Sequence, residues 1–245
     1  MQLAAPFRAH GDHVAIDLDG ATALFSTRRG GVSEGPFASL NLGRRTGDDG
    51  ACVEVNRERL AEAAGSDWGR FARAIQVHGT RVRRVDTVPE RDDPWEEADG
   101  HATALPRVPA LVFVADCLPV ALVAGGRGEC HVAMVHAGWR GLAGGVIEEG
   151  LAALGADGPV RAAIGPGIGA CCYEVGDEVR AEFPAEVADG RHLDLKLAAR
   201  RRLENAGVAA VHDVGLCTAC HPELFFSHRR DHGTTGRQAG VVWRR

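Results

Sequence analysis

The sequence predicts an α+β fold, with mixed β-sheets flanked by helices, in a single domain spanning residues 1–245. Three observations carry that prediction. Helical and strand patterns follow one another without the strict alternation of a doubly wound fold. Two apolar, β-branched runs, Leu118 to Val123 and Val132 to Val135, flank a Gly125-Gly126-Arg127-Gly128 turn, the pattern of a hairpin-like strand pair. Capped segments with apolar residues at helical spacing stand between the strands.

The elements follow in order. Val14 to Leu18 and Ala21 to Thr27, around Asp19-Gly20, form an opening hairpin. Ser26 to Gly43 is a long irregular segment whose Ser, Asn and Arg content suits a binding loop. Within it Arg28 is suited to pairing with a phosphate or carboxylate, against the plainer alternative of a solvated surface arginine. Asp48 or Asp49 caps a helix that runs to about Ala64, with Gly65 as its stop. Phe71 to Val77 and Val82 to Val85 are strand candidates, and Glu90 to Glu97 is an acidic surface loop. Asp99-Gly100 then turns the chain back.

Beyond the central hairpin, Gly141 to Leu154 is a helix with Ile147, Leu151 and Leu154 on one face. Val160 to Ile164 is a buried strand that ends in Gly165-Pro166-Gly167-Ile168-Gly169. That loop fails as a dinucleotide fingerprint, because Pro166 removes a backbone donor and no helix opens at once. Asp177 to Phe183 is a short helix, and Asp194 caps another that stops at Gly207. Ala209 to Val211 and Val241 to Trp243 are the last strands.

The bulk numbers narrow the functional classes. An apolar fraction of 45% and a charged fraction of 25% are ordinary for a globular protein with a sizeable core. The net charge of −5 offers no basic field for nucleic acid. No stretch approaches the roughly 20 apolar residues of a membrane helix, and no secretory signal opens the chain. The seven cysteines are an odd number and include the adjacent pair Cys171-Cys172, a poor disulfide framework. A cytoplasmic location with reduced thiols is the expectation.

His78, Cys117 and His136 sit where predicted strands end. Two imidazoles and a thiolate are good zinc ligands, and three protein ligands leave one position open, the pattern of a catalytic zinc. Two alternatives stay open: satisfied residues beside a core, or Cys117 as a nucleophile with His78 or His136 as its base. Cys217 and Cys220 form a CxxC without a second CxxC, so two unliganded thiols are expected there. His221-Pro222-Glu223 lacks the Pro-Cys-x-x-Cys of cytidine-type deaminases. His-x-His pairs are absent, which argues against a multicopper oxidase.

Eight motifs together resemble one family: Ser26-Thr-Arg-Arg-Gly-Gly-Val-Ser33, Ser39-Leu-Asn-Leu-Gly43, Gln76-Val-His-Gly79, Ala115-Asp-Cys-Leu-Pro119, His136-Ala-Gly-Trp-Arg-Gly141, Ile164-Gly-Pro-Gly-Ile-Gly169, Cys172-Tyr-Glu-Val-Gly176 and Phe225-Phe-Ser-His-Arg-Arg-Asp231. It is the YfiH/laccase-domain family, whose members are labelled polyphenol oxidase or peptidoglycan editing factor. The resemblance runs from about Leu24 to Trp243. It implies a zinc ion on His78, Cys117 and His136. It also implies phosphorolysis of adenosine, inosine and methylthioadenosine, with some adenosine deamination. Gln238, where the family usually has Met, and His101, after Asp99-Gly100, depart from the pattern without touching those ligands.

On that basis the expected partners are purine nucleosides and phosphate, with no nucleic acid and no membrane; the oligomeric state stays open, a homodimer among the options. Zinc is the expected cofactor and copper the lesser alternative. Arg28 and Arg140 are candidates for phosphate and Asn41 for sugar or base. Asp116 is a candidate proton shuttle or orienter of a ligand, and Cys117 a catalytic as well as a ligating group. Rival functions are a cysteine or zinc amidase acting on peptidoglycan precursors, a copper-dependent polyphenol oxidase, and a non-catalytic partner with a structural zinc.

Overall fold

Strand patterning becomes two sheets in the computed structural model, which describes residues 3–126, 129–155 and 157–245. The strands are β1 Arg8–His10, β2 His13–Leu18, β3 Ala21–Phe25, β4 Val82–Arg84, β5 Gly100–Thr103, β6 Ala110–Val114, β7 Leu118–Gly126, β8 Glu129–Ala137 and β9 Val160–Ile164. Then come β10 Ala188–Asp189, β11 His192–Leu193, β12 Ala210–Asp213 and β13 Gln238–Arg244. The helices are α1 Gly50–Ala63, α2 Trp139–Gly144, α3 Val146–Leu154, α4 Asp177–Arg180 and α5 Leu195–Asn205.

One sheet is five-stranded and antiparallel, in the order β1-β2-β3-β13-β6. The other is six-stranded and mixed, in the order β12-β9-β7-β8-β5-β4, with parallel pairs at both edges. β10 and β11 form a small separate ribbon. The α+β class with mixed sheets is therefore as predicted.

Period-two alternation sorts the side chains into layers. Along β7, Ala121 and Val123 face the five-stranded sheet and pack with Ile16, Ala23, Phe25 and Val112. Their neighbours Val120 and Leu122 face the other way, onto Ile147 and Leu154 of α3 and Leu203 of α5. On the far side of the five-stranded sheet, Leu24, Leu111 and Val241 pack against Leu60 and Ala61 of α1. The result is two sheets face to face with helices outside each, an arrangement in which the inner strands of both sheets are buried on both faces.

The central hairpin pairs Leu118 with Ala137 and Val123 with Val132; its tip at Arg127 and Gly128 lies outside the described residues. Asp49 caps α1 by accepting from the Ala51 N–H, and Asp194 caps α5 by accepting from Leu197. The irregular segment 26–43 is pinned to α1 rather than loose. Asn56 accepts from the Val32 N–H at 2.9 Å and donates to the Asn41 carbonyl at 2.9 Å, and Arg57 donates to the Leu42 carbonyl at 3.0 Å.

Four boundaries differ from expectation. Phe71 to Val77 is not a strand. Ala72 and Ile75 make isolated bridges only, and the side-chain amide of Gln76 pairs with the backbone of Phe113 in place of a ladder. Asp99-Gly100 is not a turn: Gly100 opens β5, and Asp99 is fully buried. The helix expected over 141–154 breaks into α2 and α3 at Gly145, whose φ of 99° suits glycine. The helix expected over 177–183 is a single turn, α4, which Pro184 follows.

Two histidines are folded in as neutral rings. His13, 7% exposed, accepts a hydrogen bond at Nδ1 from the Thr27 N–H, and burial pushes it down to about 4. His101 is 1% exposed on β5, its Nδ1 has no hydrogen-bond partner, and burial pushes it down to about 3. Below their ordinary value of 6.5 the unfolded chain takes up protons that the folded chain refuses. Stability is therefore fully present above about 6.5 and falls with pH below it, by up to about 1.4 kcal/mol per unit for each ring. Urea midpoints measured across pH 7 to 4 should show this slope, and His101→Leu should roughly halve it. An unchanged slope in that variant would show that His101 takes up its proton in the fold as readily as in the unfolded chain.

Candidate functional site

Asp99 joins two distant pieces of chain. Its carboxylate accepts from the backbone N–H groups of Val77 at 3.2 Å, His78 at 3.0 Å and Gly79 at 2.7 Å. It also meets His136 Nδ1 at 2.8 Å, and the Asp99 carbonyl accepts from the His136 N–H at 2.7 Å. A carboxylate only accepts, so His136 carries its proton on Nδ1 and presents Nε2 to the other side. Burial works against the charge on Asp99, but the bond and charge of His136 and the backbone donors hold its carboxyl below the usual range. His78 has a φ of 60°, a conformation costing on the order of 1–3 kcal/mol in a non-glycine residue, and the bonds to Asp99 sustain it.

Cys117 arrives from the short connection between β6 and β7, where Asp116 turns the chain at a φ of 90°. Gly138, just past β8, lets the backbone pass the cluster. A Cβ there would stand 3.0 Å from the Cys117 sulfur and 3.3 Å from the His78 ring. The His78 and His136 rings lie edge to face, 4.9 Å between centroids. One donor atom each from His78, Cys117 and His136 lies within 4.8 Å of the others. His136 is buried, Cys117 half-buried and His78 exposed, so the cluster has one open side.

The electrostatics of the cluster suit a cation. Burial raises the Cys117 thiol, but the charge of His136 and hydrogen bonds from both histidines outweigh this and bring it down to about 6. Burial lowers His136, but the Cys117 thiolate and Asp99 push it up to about 9. The pair thus holds a thiolate beside a proton. Two imidazoles and a thiolate held this way fit a borderline-soft divalent ion in the proton's place.

The open side faces a cavity of about 1110 Å³. Near the cluster it is lined by Trp139, Arg140, Tyr173, His228, Arg229 and Arg237, and further out by Trp68, Trp95 and Phe113. Arg140 lies over the Trp139 ring, 4.3 Å from its centroid. Among the described residues neither Arg140 nor the exposed Arg45, also in the lining, has an ion-pair partner. Burial, with Cys117 nearby, pushes the Tyr173 phenol up to about 12, so it stays a donor.

The structure brings Asp116 and Arg140 to the cavity with the three cluster residues. Both Asp116 oxygens are engaged: Oδ1 accepts from the Thr218 hydroxyl at 2.6 Å and Oδ2 from the Arg229 N–H at 2.7 Å. That use favours an orienting role over proton transfer. Arg28 and Asn41, the other two candidates for substrate contact, do not line the cavity. The Arg28 guanidinium is spent on the Ala38 and Pro222 carbonyls and lies over Phe226. Asn41 is fully buried, bonding Thr46, Asp48 and the Arg237 N–H, so it shapes the cavity rim from behind.

Sequence reasoning missed Asp99, Tyr173, His228 and Arg237. Asp99 read as a turn because Asp-Gly is a turn signal; Tyr173 and His228 stood inside motifs without a distinguishing spacing, and Arg237 outside all eight motifs. It also missed that Cys171 and Cys172 meet Cys217 and Cys220.

A family model described as multi-copper polyphenol oxidoreductase laccase matches residues 22–245. The chain belongs to that family. Relatives in it are named purine nucleoside phosphorylases. YlmD of Geobacillus stearothermophilus is 40% identical over 92% of this chain and 91% of its own length. YfiH of Escherichia coli is 42% identical over 91% of this chain and 94% of its own. The crystal structure of YlmD from Geobacillus stearothermophilus superposes with a TM-score of 0.88 at 36% identity, covering 97% of this chain and 98% of that one. That of a Bacillus licheniformis hypothetical protein YfiH gives 0.89 at 32% identity, covering 99% and 100%. The family's description speaks of several coppers. Among the described residues two clusters could hold a metal, and histidine is present in one of them.

Asp99→Asn should keep the fold but weaken metal binding about 10- to 100-fold, the usual cost of losing an anionic partner behind a ligating histidine. Competition with a chromogenic chelator measures this, and undiminished affinity would show that Asp99 does not act through His136.

Proposed function

We propose that the chain is a zinc-dependent purine nucleoside phosphorylase acting on adenosine, inosine and methylthioadenosine, with adenosine deamination as a second activity of the same site. The observation that supports this best is the half-open cluster of His78, Cys117 and His136 facing a basic, aromatic-walled cavity. The names of the relatives support the same substrate class.

Held by His78, Cys117 and His136, zinc would supply Lewis acidity toward a substrate oxygen. Copper fits less well, since a two-histidine, one-cysteine copper centre usually adds an axial methionine and the cavity lining contains none. Phosphorolysis requires a phosphate oxygen to attack the anomeric carbon while the bond to the purine nitrogen breaks. Arg140 and Arg45 have uncommitted charge to bind that phosphate. Trp139 and Tyr173 give flat apolar surface for the base. His228 is our candidate for delivering a proton to the departing purine nitrogen, beside an Arg229 backbone fixed by Asp116.

A second reading also has an observation behind it. Cys117, His136 and Asp99 form a nucleophile–base–carboxylate relay, as in cysteine hydrolases, which would suit an amidase acting on peptidoglycan precursors. That enzyme would keep its activity after the metal is stripped, whereas the phosphorylase would lose it.

With metal content verified, adenosine should give adenine and ribose phosphate when phosphate is present, and inosine in its absence if deamination operates. Cys117→Ala should abolish turnover together with one equivalent of bound zinc; unchanged turnover would overturn the proposal. Arg140→Ala should raise the KM for phosphate about tenfold or more, the scale of one charged hydrogen-bonding group. An unaltered KM would remove Arg140 from the phosphate site.

A further inference from the structure

We propose that Cys171, Cys172, Cys217 and Cys220 hold a second zinc ion, structural in role and separate from the cavity cluster. Their four sulfurs all lie within 4.8 Å of one another. The Cys220 sulfur is 3.5 Å from that of Cys171 and 3.4 Å from that of Cys172. A tetrahedron with zinc–sulfur bonds of about 2.3 Å puts its sulfurs about 3.8 Å apart, so this arrangement needs little adjustment to close on an ion.

The convergence does not depend on the sulfurs themselves. Two loops are already laced together: the Gly167 N–H donates to the Leu216 carbonyl at 3.4 Å, and the Thr218 N–H to the Gly167 carbonyl at 3.0 Å. Gly169 permits the final approach, since a Cβ there would stand 3.3 Å from both the Cys171 sulfur and the Cys217 Cβ. Backbone N–H groups point at the Cys217 sulfur, from Gly169 at 3.2 Å and from Ala219 and Cys220 within the CxxC. Such donors stabilise a thiolate far better than a neutral thiol.

Disulfides account for this less well. All four are free thiols. A bond from Cys220 to Cys171 or Cys172 would engage only two of the four sulfurs. A single cation uses all four at once, and a thiolate set this close requires one to offset its mutual repulsion. Four protein ligands make the site closed, and none of the four lines the cavity, so the ion would brace rather than react. It would tie the loop bearing Tyr173 to the loop bearing Thr218, whose hydroxyl donates to Asp116. Both are walls of the substrate cavity or supports of them.

Metal counting on reduced, zinc-loaded protein tests this independently of the first site. Wild type should carry two equivalents. Cys117→Ala should keep one, and adding Cys171→Ser and Cys220→Ser should remove it. Cobalt loaded into Cys117→Ala should show thiolate-to-cobalt charge transfer that disappears in the triple variant. Because variants can misfold, wild-type protein is also alkylated with and without chelator. Cys171, Cys172, Cys217 and Cys220 should react only after chelation. Zinc-independent alkylation, a metal-free Cys117→Ala protein, or a native disulfide among the four would overturn the proposal. If instead Cys117→Ala keeps both equivalents, the first site has failed and the second stands.

Discussion

The buried carboxylate of Asp99 is where the cluster is assembled. One of its oxygens fixes the His136 ring, and the two together gather three consecutive backbone N–H groups around His78. A charge this deep in the protein is tolerable only because its acceptor positions are so well used. His78 lies on an irregular segment and His136 on the central strand of a sheet, and no direct pairing of their backbones would bring them together. Without Asp99 the exposed His78 would have no reason to hold a left-handed backbone, and His136 no fixed tautomer.

The layered architecture supplies the third residue of the cluster. β6 belongs to the five-stranded sheet and β7 to the six-stranded one, so the chain must cross between sheets within Ala115, Asp116 and Cys117. Backbone at such a crossing is freed from ladder pairing, and Asp116 uses the freedom to adopt a positive φ. Cys117 is thereby released at the junction of the two layers, next to the C-terminal end of β8. The cavity opens where the sheets part. Its floor is made of strand ends, while its rim comes from arginine-bearing loops, a rigid base with an adaptable edge.

Much of this was legible in the residues. The central hairpin, the caps at Asp49 and Asp194, and the strand Val160–Ile164 follow from local chemistry that tertiary contacts reinforced. His78, Cys117 and His136 were visible because ligand-capable residues at strand ends are conspicuous. What stayed hidden depends on contacts far apart in sequence. Asp99 reads as half of a turn until its donors, about twenty residues upstream, are seen. Arg28 and Asn41 look available until Ala38, Pro222 and Asp48 take up their polar groups. Cys171-Cys172 and Cys217-Thr-Ala-Cys220 are each incomplete as metal motifs, and only the loop pairing through Gly167 makes them one set. Gln238 is similar: its buried amide bonds both the N–H and the carbonyl of Phe226, a role that its departure from the family pattern did not suggest.

The segment that failed to become a strand carries one more consequence. β6 ends the five-stranded sheet, and a bare outermost strand is a template onto which a foreign chain can add. Ala72 occupies the Pro109 carbonyl and the Leu111 N–H, and the Gln76 amide occupies both polar groups of Phe113. By covering this margin without extending it, residues 72–76 leave an incoming strand no continuous run of partners, which protects the fold from sheet-to-sheet aggregation.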